Sequence, residues 1–227
     1  MNLQQKQQLI AALSDYVTPQ RLQRMTKVLE KRTRHLCVVM EDIYQSHNAS
    51  AVLRSCDCFG IQDVHIIENR NTYQINPDVA LGASKWLTLN QYNALENNTE
   101  TCIRQLKDKG YRIVATTPHE NDCLLEELPV DQKTALLFGT ELKGLTQEAI
   151  DLADGYVKIP MVGFTESFNI SVCAALCLYH LSPKIRNTVP DWQLADEEKA
   201  DVMLEWLKQS VSNPESLMLH FKRQFGF

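Results

Sequence analysis

The sequence is short of the features that mark several common protein classes. It has only 8 glycines and 8 prolines in 227 residues and no internal repeat, which excludes collagen-like and low-complexity chains. It has no run of about 18 apolar residues, so no helical membrane span is expected. The opening stretch MNLQQKQQLIAALSDY lacks a basic start followed by a long apolar run, so no secretory leader is expected either. The seven cysteines are odd in number and irregularly spaced, with no Cys-x-x-Cys pair. A disulfide framework and a zinc site are both unsupported, and a reduced, cytoplasmic setting is expected. No G-x-G-x-x-G occurs, which leaves a dinucleotide site without its fingerprint. GTELKG at 139–144 has the spacing of a phosphate loop, but Leu145-Thr146 follows where Lys-Ser/Thr should stand. Positive charge is also short: 23 Lys and Arg face 28 Asp and Glu, a net −5. Read as an average, that balance argues against nucleic acid as a partner.

The charge is unevenly spread, however. Residues 1–35 carry Lys6, Arg21, Arg24, Lys27, Lys31, Arg32 and Arg34 against Asp15 and Glu30, a local +5. Residues 183–227 sum to −1, which leaves −9 on residues 36–182. The chain therefore reads as a basic head (1–35), an acidic central domain (36–182) and a mixed tail (183–227). In the head, Thr18-Pro19 is a helix start and Leu22, Met25 and Leu29 recur at helical spacing. In the centre, apolar runs at 35–41, 63–68, 111–117, 134–139 and 156–160 alternate with helical patterns at 48–59, 99–109, 146–153 and 169–181. Continuous apolar runs suit parallel strands covered on both faces, so an α/β fold with a mostly parallel sheet is expected. The helix beginning at Asn169 is expected to stop before Pro183, and residues 182–192 read as a linker. The tail is expected to hold an amphipathic helix over 196–210, acidic in its first turn, and a last short helix after Pro214.

Three central segments gather polar residues at the C-terminal ends of buried strands, where open α/β sheets bind ligands. The first runs from Asn48 to Arg54. Asn48 is a helix cap or a functional group, and Arg54, among apolar neighbours, is a structural ion pair or an anion-reading group. The second, residues 136–146, takes a buried strand through Gly139, Glu141 and Gly144 in what is at least a tight strand-to-helix turn. The third, residues 159–181, carries Gly163, Ser167 and Asn169 in a loop before an apolar helix, where Ser167 and Asn169 also suit capping. Cys173, Cys177 and His180 share one face of that helix. Small buried thiols explain them better than a metal site does.

Together these segments read N-x-x-A-x-x-R at 48–54, F-G-x-E-x-x-G-L at 138–145 and I-P-M-x-G-x-x-x-S-F-N-x-S-x-x-A at 159–174. In order and spacing they resemble the three motifs of the SpoU family of RNA ribose 2′-O-methyltransferases, in the SPOUT superfamily. The resemblance spans about residues 36–182. It implies an α/β fold with a deep C-terminal trefoil knot, S-adenosylmethionine as methyl donor, RNA as substrate, no metal, and a homodimer whose active sites draw on both subunits. Carried over motif by motif, it makes Arg54 the catalytic arginine, with Asn48, Glu141, Ser167 and Asn169 around it. Cofactor contacts are expected from Thr116, Gly139, Ile159, Met161 and Phe168, the last at a position that is often Leu in the family.

The family divides by its appendages. Some ribosomal-RNA members carry a separate N-terminal RNA-binding domain, and the smallest members are nearly core alone. Helical extensions at both ends resemble the members that methylate guanosine 18 in the D-loop of tRNA. On that reading Arg21, Arg24 and Lys27 contact phosphates, which position RNA without reading its sequence. The acidic tail helix fits this poorly, since DEEKAD would repel phosphate. The alternatives are a ribosomal-RNA ribose methyltransferase and, in another class, a non-catalytic RNA-binding module with the same fold.

Overall fold

The computed structural model describes residues 1–118, 123–141 and 143–227. Its elements in chain order are α1 (Leu3–Ser14), α2 (Pro19–Leu29), β1 (Leu36–Glu41), α3 (Ser46–Phe59), β2 (Asp63–Ile67), α4 (Pro77–Ala80), β3 (Thr88–Tyr92), α5 (Thr99–Asp108), β4 (Arg112–Thr116), β5 (Cys123–Leu124), β6 (Thr134–Phe138), α6 (Gln147–Leu152), β7 (Gly155–Lys158), α7 (Ile170–Thr188), α8 (Asp196–Lys208) and α9 (Pro214–Phe225). They form two compact units, residues 33–192 and residues 1–32 with 193–227.

The first unit is an α/β sandwich around one seven-stranded sheet, in the order β3-β2-β1-β6-β4-β7-β5. Every strand pairing in it is parallel. All six residues of β1 and all five of β6 are buried. Their side chains alternate between two cores, as a period of two requires. Leu36, Val38, Met40, Leu136 and Phe138 pack with Val52 and Leu53 of α3 and with Ala174 and Leu178 of α7. Cys37, Val39, Ala135 and Leu137 pack with Ile103 and Leu106 of α5 and with Ala149 of α6. Both faces are covered, which is why these strands read as unbroken apolar runs.

The parallel sheet and most of its elements match the sequence reading. The differences are local. β3 lies at 88–92, where TLNQY has no apolar run because this edge strand is only half buried. α1 precedes the expected head helix. It is closed by a capping box between Asn2 and Gln5. α7 does not stop before Pro183 but continues to Thr188. A helix-interior proline costs about 3 kcal/mol. Here the turn is held by the burial of Leu181, Ser182 and Ile185 and by Lys184 Nζ, which donates to the carbonyls of Glu126 (3.0 Å) and Leu128 (2.8 Å). Most of the expected linker is therefore helix.

The second unit is helical, with α8 packed on α1 and α2. The acidic start of α8 has partners within it. Lys6 Nζ of α1 lies 2.6 Å from Asp201 and 3.2 Å from Glu197, and Lys199 lies 2.9 Å from Glu30. The bond to Asp201 holds the Lys6 ammonium above its ordinary pKa, and Glu197 adds to it. Arg32 is only 1% exposed, with its guanidinium 5.3 Å from the centre of the Trp206 ring.

Candidate functional site

All three polar segments emerge at the C-terminal edge of the sheet, beside the strands β1, β6, β4 and β7. Glu41, the last residue of β1, anchors this edge. Its side chain is buried, yet it accepts from the hydroxyls of Thr99 (2.7 Å) and Thr146 (2.7 Å) and from the Thr146 amide (2.8 Å). Thr146 caps α6 by accepting from the Ala149 amide, and Thr99 opens α5. One carboxylate thus ties two helix starts to the central strand, where helix N-termini favour negative charge. Sequence reading missed this role. Its trace was a carboxylate closing an otherwise apolar strand.

The β6–α6 loop owes its shape to its glycines. Thr140 and Gly144 exchange backbone hydrogen bonds of 2.9 and 2.8 Å, and Gly144 has φ +67°. The turn closes so tightly over Gly139 that a Cβ there would lie 2.2 Å from the Gly144 carbonyl carbon and the Leu145 nitrogen. Only glycine fits. The turn buries Leu145 and leaves Glu141 exposed.

There Glu141 joins residues from the other two segments. Asn48 Nδ2 donates to Glu141 Oε1 (2.7 Å) and to Gln45 Oε1 (2.9 Å). Asn169 Nδ2 donates to the same Glu141 oxygen and, at 3.2 Å, to Asn48 Oδ1. Asn169 also caps α7, its Oδ1 accepting from the Ser171 amide (2.9 Å). Asn48 is not a cap, because α3 begins at Ser46 and Gln45 holds the cap position. Its buried amide is free to serve the network. Residues 93 and 121 positions from Asn48 thus meet at one point.

Beside this network opens a cleft of about 330 Å³. Thr116, Gly139, Ile159, Met161 and Phe168, the five residues expected to contact cofactor, all line it, with Glu141 and Ser167. Thr116 spends its hydroxyl on the Leu137 carbonyl (2.7 Å), which joins β4 to β6. The lining suits S-adenosylmethionine. Val157, Ile159, Met161 and Phe168 offer apolar surface for a purine. Lys158 adds positive charge to the lining, and Glu141 and Glu166 complement an ammonium and a sulfonium. The volume lies within the range usual for small-molecule sites.

Arg54 stands apart. It is exposed, lines neither this cleft nor the one beside it, and among the described residues has no hydrogen bond to Asn48 or Glu141. Six residues of helix turn it about 120° away from Asn48. In the head, Arg24 and Lys27 of α2 and Lys31 just beyond it line one open groove, while Arg21 bonds Ser210 Oγ through Nε (3.3 Å) and Nη2 (3.2 Å). Arg34 pairs with Asp63 at 3.0 Å. Cys173 and Cys177 line the cleft, and among the described residues no group of three or more His, Cys, Asp or Glu is placed to hold a metal ion. No helix among them is long and apolar enough to cross a membrane.

Known proteins resemble this chain over most of its length. The model of the SpoU rRNA methylase family matches residues 35–179. A tRNA (guanosine(18)-2′-O)-methyltransferase of Borreliella burgdorferi is 45% identical over 204 residues, covering 90% of this chain and 92% of that one. The protein of the same name from Thermus thermophilus is 32% identical over 194 residues, covering 85% and 98%. Among solved structures, the A. aeolicus TrmH/SpoU tRNA-modifying enzyme superposes with a TM-score of 0.76 at 28% identity, covering 86% of this chain and 98% of that one. The motifs, the sheet that carries them and these relatives agree that the chain belongs to the SpoU methylase family.

Proposed function

We propose that this protein transfers a methyl group from S-adenosylmethionine to the ribose 2′-hydroxyl of guanosine 18 in the D-loop of tRNA, as a cytoplasmic homodimer. One observation carries the reading: Asn48, Glu141 and Asn169, from three separate motifs, meet in one hydrogen-bonded network at a cleft lined by all five expected cofactor residues. The tRNA substrate is the one named for the relatives of 45% and 32% identity, which match this chain over most of both lengths.

S-adenosylmethionine, when bound, supplies a methyl group already activated on a sulfonium. The chain's own residues have to position the hydroxyl and ease loss of its proton. Asn48 and Asn169 fix the Glu141 carboxylate, whose negative charge complements a cation in the cleft. Ser167 and Phe168 shape the loop that closes one wall. Arg54 holds the ribose hydroxyl and its adjacent phosphate through the planar guanidinium fork. A guanidinium, its charge delocalised over three nitrogens, is a poor base, so the proton leaves toward phosphate or solvent.

Arg54 reaches such a substrate by serving the cleft of a second copy. Val172, Leu176 and Tyr179 form an exposed apolar stripe on α7, and Val162 and Phe164 are exposed in the loop before it. α3, which carries Arg54, packs on α7. This exposed apolar face suits cover by a second copy, which would complete the shared site. The reading extends, through the family resemblance, to a knot in which the C-terminal segment is threaded. Residues 36–182 perform the chemistry, while the helical ends (1–35 and 183–227) hold tRNA, Arg24 and Lys27 meeting phosphate and Arg21 joining them once released from Ser210.

Incubation with labelled S-adenosylmethionine and separate tRNA and ribosomal-RNA pools tests the reading. Label is expected in tRNA, at guanosine 18, and should vanish from a transcript with 2′-deoxyguanosine there. Label confined to ribosomal RNA would overturn the tRNA assignment. Label in neither pool, with RNA still bound, would favour a non-catalytic binding module.

A further inference from the structure

A second cleft, of about 310 Å³, abuts the cofactor cleft and shares Thr140, Glu141, Lys143 and Ile170 with it. Its other wall comes from the loop after β1, with Tyr44 and Gln45, and from Arg70 and Asn71 in the loop after β2. The two loops are clasped together. Asp42 sits at φ +56°, a left-handed conformation uncommon for a residue with a side chain. Its Oδ1 accepts from the consecutive amides of Asn69 (3.1 Å), Arg70 (2.8 Å) and Asn71 (2.8 Å), and the Asn71 side-chain amide donates to the Asp42 carbonyl (2.9 Å). A backbone strained at one residue and tied by four bonds makes a preformed wall at a functional edge.

The charges that face this cleft are unequal in availability. Asp42 is spent on three amides, and Glu141 is held by Asn48 and Asn169. Among the described residues, Arg70 and Lys143 have no carboxylate partner, and both are exposed. Tyr44, beside them, is 78% exposed. An open aromatic ring flanked by two unpaired cations, one wall away from the cofactor cleft, matches a nucleotide: a flat base to stack and phosphates to neutralise.

We infer that the second cleft receives the target nucleotide, drawn out of its stack, with its base against Tyr44 and its neighbouring phosphates on Arg70 and Lys143. The inference rests on the methyl-transfer reading and adds to it the place where the RNA enters. Tyr44 and Arg70 are positioning residues, and neither lines the cofactor cleft.

The test uses the full chain with Tyr44→Ala, Tyr44→Phe and Arg70→Gln. Dissociation constants for S-adenosylmethionine are measured with kcat and KM for a tRNA transcript. Cofactor affinity should stay within about twofold of the parent. The tRNA KM should rise about tenfold or more for Tyr44→Ala, the loss expected of one base–aromatic stack, and Tyr44→Phe should restore it. For Arg70→Gln the salt dependence of tRNA binding should become shallower by about one released ion. A photo-crosslink from 6-thioguanosine at position 18 should map to residues 42–48 or 70–71. An unchanged KM in both Tyr44→Ala and Arg70→Gln, a crosslink mapped elsewhere, or a loss of cofactor affinity matching the loss of tRNA would overturn the cleft assignment. A parent enzyme that methylates no RNA would instead sink the reading on which it rests.

Discussion

Arg54 is proposed to hold the reacting hydroxyl, yet it has no anchor in the network formed by Asn48, Glu141 and Asn169. A lysine there keeps the charge and loses the planar two-pronged contact. Arg54→Lys should therefore lose more than ~100-fold in kcat while binding S-adenosylmethionine as before. Full activity in the lysine variant would remove the guanidinium from the mechanism. His65 gives a second, independent prediction. It is buried in β2, its Nδ1 lies 3.1 Å from the Tyr92 hydroxyl, and burial, aided by Lys109, lowers its pKa from 6.5 to about 4. The folded state refuses a proton that the unfolded state accepts. Stability from this group is complete above pH 6.5 and is lost as pH falls toward 4. Urea melts should show a loss of about 2 kcal/mol between pH 7 and 5 that is absent in His65→Gln. Equal slopes for the two proteins would refute the assignment.

Among the elements, the β6–α6 loop is the least tolerant of change. In Gly139→Ala the added methyl meets backbone rather than a side chain that can swing away, so the loop must open. Its weakening should appear as a rise of about tenfold or more in the S-adenosylmethionine dissociation constant, with a loss of about 2 kcal/mol or more in folding stability. Parent-like values for both would show that the turn is looser than its geometry implies. The tRNA contacts proposed for α2 and the residue just beyond it are separable from the cofactor cleft. Replacing Arg24, Lys27 and Lys31 by Gln should raise tRNA KM and flatten its salt dependence by up to about three ions, with cofactor binding intact. No change in salt slope would move the RNA surface elsewhere. The chain-wide charge of −5 hides this helix. It also hides the pairing of α8 carboxylates with Lys6.

For the whole molecule, the proposal of a site shared between two subunits makes a prediction that no single chain can satisfy. Mixing inactive Arg54→Ala with inactive Asn169→Ala and allowing subunits to exchange should restore activity. A mixed pair holds one cleft with both residues intact. If half of the dimers are mixed, recovery should approach about a quarter of the parent rate. No recovery, with exchange verified, would place Arg54 in the cleft of its own chain.

The parallel sheet was legible because β1 and β6 are buried on both faces, and continuous apolar runs report that directly. Glycine stops, Thr caps and the three motifs were legible for the same reason: each is a local requirement of backbone or chemistry, written within about fifteen residues. The course of α7 past Pro183 was not legible, because it depends on Leu128 and Glu126 carbonyls more than fifty residues away. Nor were the Glu41 anchor and the Asp42 clasp, whose partners lie 27 to 105 positions along the chain. Sequence by itself determined the residue types, their spacing and the family they belong to. Tertiary structure decided which of them touch: that Asn48 answers to Glu141 and Asn169, that Arg54 answers to neither, and that Tyr44 and Arg70 share a wall. Hydrogen bonds and packing form between neighbours in space, and a sheet whose strand order departs from chain order brings together residues that no local pattern joins.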